Sequence, residues 1–151
     1  MIKIEFATNN RTMEAKKHVN LEKFFVENPW SSFVIFCIGA IGYGTIEILF
    51  RGYTHWSMIL TGGACLLTLH ILDIRYDHAP LVLKAIGGAL IITAYEFAVG
   101  IIVNLLFHFN VWDYSAQPLD VLGQICALFT FLWFLLCLAL LASVRVLNKI
   151  I

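Results

Sequence analysis

The sequence predicts an all-α integral membrane protein with four transmembrane helices and both termini in the cytoplasm. Three observations carry this. Apolar residues make up 60% of the chain and charged ones 13%, more apolar surface than a soluble fold of this size can hide. The apolar residues fall into four long runs, each close to the ~20 residues that cross a bilayer as a helix. Lys and Arg lie before the first run (Lys3, Arg11, Lys16, Lys17, Lys23), between the second and third (Arg75, Lys84) and after the fourth (Arg145, Lys149). Arg51 alone falls on the other side, which orients the chain by the positive-inside rule.

Residues 1–28 form a polar N-terminal segment, expected to lie in the cytoplasm or at the interface. Asn20 can cap a short helix with Leu21, Phe24 and Phe25 on one face. This segment lacks the apolar core and small-residue cleavage site of a signal peptide, so the first run is expected to remain as an anchor. Residues 29–151 form the transmembrane domain. Its first span covers about 32–50, where Ala40 and Gly44, four apart, allow close helix approach. Glu47 lies near its end, and Arg51 and His55 share its face if the helix continues. The second span covers about 56–72 and contains Gly62-Gly63, a kink or a packing point. His70, near its end, is expected to hydrogen-bond to a neighbouring helix. The third span covers about 81–109, with Lys84 snorkelling to the interface near its start.

Glu96 sits near the middle of that third span. A carboxylate inside a bilayer is expensive, and by default it marks function. Gly100, Asn104 and His108 follow at four-residue steps and extend a polar stripe toward the far surface. The loop beyond holds Trp112, Asp113 and Tyr114. The fourth span is expected over about 119–144, with Asp120 at its N-terminus. Residues 129–142 read as lipid-facing or packed, without chemistry. Cys37, Cys65, Cys126 and Cys137 fall in apolar runs and read as small apolar helix residues. The near-zero net charge argues against nucleic acid as a partner.

The topology brings Glu47, Arg51, His55, Asn104, His108, Asp113 and Asp120 to the non-cytoplasmic side, with Glu96 deeper. Three readings follow. Ion pairs from Arg51 to Glu47, Asp113 or Glu96 can simply tie the helices together. The cluster can form a path for a small polar or cationic solute, with Glu96 as the inner carboxylate. An enzyme acting on a lipid at the outer leaflet would use Glu96 or His55 as acid or base and Arg51 to hold a phosphate or carboxylate. No nucleophile stands out, Ser115 with His108 being a weak pairing. No His/carboxylate array has metal-ligand spacing, and no cofactor follows from the sequence.

Tyr95-Glu96-Phe97 with Gly100, and Trp112-Asp113-Tyr114-Ser115 with Gly123, resemble the bacterial ABC-transporter permease family of type IV (CmpB-like) and related small animal transmembrane proteins. Gly42-Tyr43 with Glu47 resembles that family's Gly-aromatic-x-x-Glu element, one residue longer here. Arg51-Gly52 partly matches its Asn-Arg-Gly segment. The resemblance covers roughly residues 33–140. It implies a polytopic membrane protein and a transport role. The chain has no Walker-type phosphate loop, so an ATPase would be a separate subunit. The expected function is therefore permease- or channel-like, moving a small solute past Glu96. The pathway would comprise Glu47, Arg51, His55, Asn104, His108, Trp112, Asp113 and Tyr114, in a homo-oligomer of the cell membrane.

Overall fold

The computed structural model describes residues 29–150. Four long helices appear: α1 (Pro29–Arg51), α2 (Trp56–Arg75), α3 (Leu81–Gly100, continued by a π-helical turn Ile101–Leu106) and α4 (Ala127–Ile150). Each is long and apolar enough to cross a membrane, and no strand occurs among the described residues. The protein is thus an all-helical multi-pass membrane protein. The interfacial helix expected near Asn20 lies outside the described residues. By backbone contacts the chain divides into Met1–Val34 and Ile35–Ile151, and everything below concerns the second unit.

Within it, α3 is the central helix, packed most extensively on α4 and then α2. Ala85, Ala89, Ile92 and Val103 of α3 join Met58, Cys65 and Leu69 of α2 and Trp133, Cys137 and Leu141 of α4 in one buried cluster. The outer faces of α1 and α4 expose Ile41, Leu49, Phe131 and Val146, as lipid-facing helices should. The hydroxyls of Thr45, Thr61, Thr68 and Thr130 donate to the carbonyl four residues back, so none is left bare in an apolar surrounding.

Gly62-Gly63 does not interrupt α2; it is a crossing point with α1. A Cβ on Gly39 would lie 2.6 Å from the Gly62 carbonyl oxygen, so the two backbones touch where neither residue has a side chain. The tight contact is made by Gly39, while Gly44 packs more loosely against Ile59.

Several boundaries differ from the sequence expectation. Helix α1 stops at Arg51 because Gly52 turns left-handed (φ 79°), so His55 does not continue its face. His55 instead caps α2, its Nδ1 accepting from the Ser57 N–H at 3.4 Å. The third span ends at Leu106, not 109. The fourth helix begins at Ala127, eight residues later than expected (127 against 119), so Asp120 is not at its N-terminus. Asp120 closes a turn by accepting from the Gly123 N–H at 2.9 Å. Residues 119–126 are apolar enough to read as helix, but their polar groups are claimed by the fold of the loop. Lys84 does not snorkel. It is 3% exposed, and its Nζ donates to the Asp73 carboxylate at 2.6 Å and the Asp73 carbonyl at 2.9 Å. The end of α2 thus offers two acceptors closer than the interface. His70 Nε2 is buried and finds no hydrogen-bond partner among the described residues.

Candidate functional site

Glu96 is 1% exposed, on the α3 face turned toward α1 and α4. Its Oε1 accepts from the Tyr43 hydroxyl of α1 at 3.3 Å and its Oε2 from the Trp133 indole N–H of α4 at 2.7 Å. No ion pair to Glu96 occurs among the described residues. The carboxylate is therefore held by two neutral donors from two other helices. The sequence leads one to expect no chemistry in residues 129–142, yet Trp133 is a direct partner. A Trp in the middle of a span is the missed signal, because the residue favours interfaces and its N–H needs an acceptor when buried.

One turn of α1 beyond Tyr43, Glu47 has a different arrangement. Arg51 Nη2 donates to its Oε1 at 2.6 Å, and the Thr54 hydroxyl donates to its Oε2 at 3.1 Å. Arg51 Nη1 also donates to the Val111 carbonyl at 2.9 Å, which fastens α1 to the loop at 107–126. The guanidinium lies 5.1 Å from the Tyr53 ring centre, and its Nε is buried without a hydrogen-bond partner among the described residues. Of the three acids considered for Arg51, the structure selects Glu47.

The stripe from Glu96 holds through Gly100 and Asn104 and then breaks. Gly100 and Asn104 are buried, but the helix widens to a π turn at Ile101, and His108 lies beyond it, exposed, at φ 55°. Asn104 organises the loop. Its Nδ2 donates to the Trp112 carbonyl at 3.0 Å and to Gln124 Oε1 at 2.8 Å, and its Oδ1 accepts from the Val111 N–H at 2.7 Å. Trp112 is buried, with its indole N–H on the Gln124 carbonyl at 2.9 Å. Gln124, absent from the sequence expectation, is thus as central to the loop as Trp112.

Asp113 is exposed and its Oδ1 accepts from the Ser115 N–H at 2.8 Å, which holds its carboxyl below the usual carboxylate range. The Tyr114 N–H donates to the Gly123 carbonyl at 2.7 Å. Gly123 has φ 67°, and a Cβ there would sit 2.6 Å from Asp113 Oδ1. The Trp112-Asp113-Tyr114-Ser115 segment and Gly123 are therefore two sides of one tight turn. Burial pushes the Tyr114 phenol well above its ordinary value, and the nearby Glu96 carboxylate adds to this, so the ring stays neutral.

A cavity of about 240 Å³ lies between α1, α4 and this loop. Tyr43, Phe50, Tyr114, Phe129 and Trp133 line it, together with the Glu47–Arg51 pair. Its rim residues Ile46, Phe50 and Leu132 are exposed. A second, apolar cavity of about 170 Å³ shares Tyr43, Ile46, Trp133 and Leu136 with the first and continues along α1 to Ile38. Together they follow about 20 Å of α1 at the helical rise of 1.5 Å per residue. Tyr43 and Trp133, which hold Glu96, are the wall common to both. Of the other residues singled out from the sequence, His55 sits at the start of α2 against Trp56 and Phe109, while His108 and Asp113 stand on the surface of the same end. Among the described residues no group of three His, Cys, Asp or Glu side chains is placed to share a metal ion.

The family model described as Putative ABC-transporter type IV matches residues 13–151 of the chain. No curated protein and no solved structure matches it.

Proposed function

We infer the function from one premise: the chain belongs to the Putative ABC-transporter type IV family. The reading we favour is a permease-like membrane component that moves a small solute past Glu96. One observation carries it. Glu96 is buried with no cation partner among the described residues, directly behind the two aromatic side chains that wall both cavities. A solute in the cavity that turns Tyr43 aside would meet the carboxylate. Glu96 then acts as the coordinating or proton-accepting group, and Glu47, Arg51 and Tyr114 shape the vestibule, with His55, Asn104, His108, Trp112 and Asp113 forming and flanking its loop.

In this proposal the chain sits in the cell membrane with both termini cytoplasmic, an orientation that the Lys/Arg distribution supports. The chain has no phosphate loop of its own, so a separate ATPase subunit would drive it, docking at the short turn after α2. Four helices are few for a conduit, and a homo-oligomer would complete one.

The test is untargeted metabolite uptake together with lipidomics in cells carrying wild type or Glu96→Gln at matched membrane levels. A solute difference present in wild type and lost in the variant is expected. An altered lipid species without altered uptake would instead favour an enzyme acting on lipid. Normal uptake by a stable variant would leave the cluster as helix clamps, the role that the Glu47–Arg51–Val111 bonds already suit.

A further inference from the structure

Resting on that permease reading, we propose that the solute is an organic monocation with an apolar tail. Its head would sit among Tyr43, Phe50, Tyr114, Phe129 and Trp133, and its tail in the adjoining groove along α1.

Charge comes first. Arg51 neutralises Glu47 at 2.6 Å, and Lys84 neutralises Asp73 at 2.6 Å. Glu96 is the buried carboxylate for which no counter-cation is present among the described residues. An ionised Glu96 with no opposite charge beside it would be costly, so a bound monocation would favour its carboxylate form over the protonated acid. A hard metal ion would need six or so oxygen ligands, which this aromatic wall lacks.

The wall supplies the second argument. Five rings run in unbroken contact: Tyr43 with Trp133 (centres 5.7 Å), Trp133 with Phe129 (6.4 Å), and Phe129 with both Tyr114 (4.5 Å) and Phe50 (6.3 Å). Ring faces attract cations, most strongly where water is excluded, and such cages suit quaternary ammonium heads. Tyr43 and Trp133 also donate their polar hydrogens to Glu96, which pushes electron density back into both rings. The carboxylate thereby acts on the cavity through the wall that covers it.

Shape is the third. The aromatic cavity shares Tyr43, Ile46, Trp133 and Leu136 with a neighbouring groove whose remaining lining is apolar, from Leu66 and Leu69 to Ile92 and Leu140. A compact charged head and a hydrocarbon tail match this division. An anion finds less: the guanidinium of Arg51 is occupied by Glu47 and Val111, leaving only its Nε.

The experiment is calorimetric titration of the full chain in dodecyl maltoside with hexyltrimethylammonium, hexanesulfonate and hexanol. Saturable binding of the cation is expected, well above that of the other two. Glu96→Gln should weaken it by at least about tenfold, the scale of a lost buried counter-charge. Phe50→Leu keeps the apolar volume at an exposed position and so spares the fold. It should weaken the cation about threefold and leave hexanol unchanged. Tighter hexanesulfonate binding, equal binding of all three, or cation binding indifferent to both substitutions would overturn the proposal. The uptake screen separates this from the parent reading. A Glu96-dependent solute that proves neutral or anionic sinks the cation and leaves the permease standing. Cation binding with no Glu96-dependent uptake supports the site and sinks the permease.

Discussion

Glu47 and Glu96 are both buried acids beside the same aromatic cavity, and they are satisfied in opposite ways. Glu47 has its own cation one turn along the helix, and that cation reaches on to the loop carbonyl of Val111. Glu96 has a phenol and an indole, borrowed from two other helices. Asp73 with Lys84 repeats the first pattern at the far end of α2. A paired acid fixes two elements against each other and is spent in doing so. An acid held by neutral donors has its geometry fixed while no cation among the described residues answers it. The difference separates clamps from a centre able to receive a ligand.

Removing a clamp should have the largest effect on stability. Arg51→Ala strands Glu47 and frees the Val111 carbonyl, and a loss of about 3 kcal/mol is expected in thermal or denaturant unfolding of the detergent-solubilised protein. A loss below about 0.5 kcal/mol would erase the distinction from the clamp side. Next comes Trp133→Phe, which keeps one aromatic ring but removes the pyrrole ring with its N–H, leaving Glu96 one donor short beside a small void, at a cost of about 2 kcal/mol. Glu96→Gln keeps an acceptor for Trp133 and can exchange donor and acceptor roles with the Tyr43 hydroxyl, so its unfolding should shift by no more than about 1 kcal/mol. If it unfolds as readily as Arg51→Ala, Glu96 is one more clamp and the contrast collapses. The smallest effect belongs to the exposed Asp113. Its carboxyl is depressed by the Ser115 N–H, so its contribution to the turn is present above the ordinary carboxylate range and fades as pH falls through the depressed value. Amide exchange at Ser115 should show that acid-side loosening in wild type and lose it in Asp113→Asn, whose side-chain oxygen still accepts.

How much of this the chain announces in advance depends on what kind of force sets it. Lipid sets the helices, and lipid acts on composition, so the four spans are legible as apolar runs. The depth of Glu96 follows from the same counting. What pairs with what is set by donor and acceptor geometry across helices, and periodicity is blind to that. Trp133 looks like any other ring in residues 129–142 until Glu96 is found opposite it. Asp120 looks like a helix start until Gln124 and Trp112 are seen to turn the chain back onto Asn104. His55 and His108 fit a helical face only while the helices continue, and a left-handed Gly52 and a π turn end those faces locally.

The π turn at Ile101–Leu106 also makes residue count matter here. Its wider ring, closed by Phe107 N–H to the Ile102 carbonyl at 3.0 Å, takes up one residue more than an α-helical turn would. Deleting a single residue within it would let the segment relax into ordinary α-helix. Because the wider turn already absorbs the extra residue, the chain on either side of the deletion would keep its relative facing. A residue added between Gly100 and Asn104 would instead be taken up by rotation of about 100°, and Asn104 would swing off Val111, Trp112 and Gln124 together. This short stretch is therefore tolerant of changes in letter at its exposed positions and of losing a residue, and intolerant of gaining one, an asymmetry that no single substitution there would reveal.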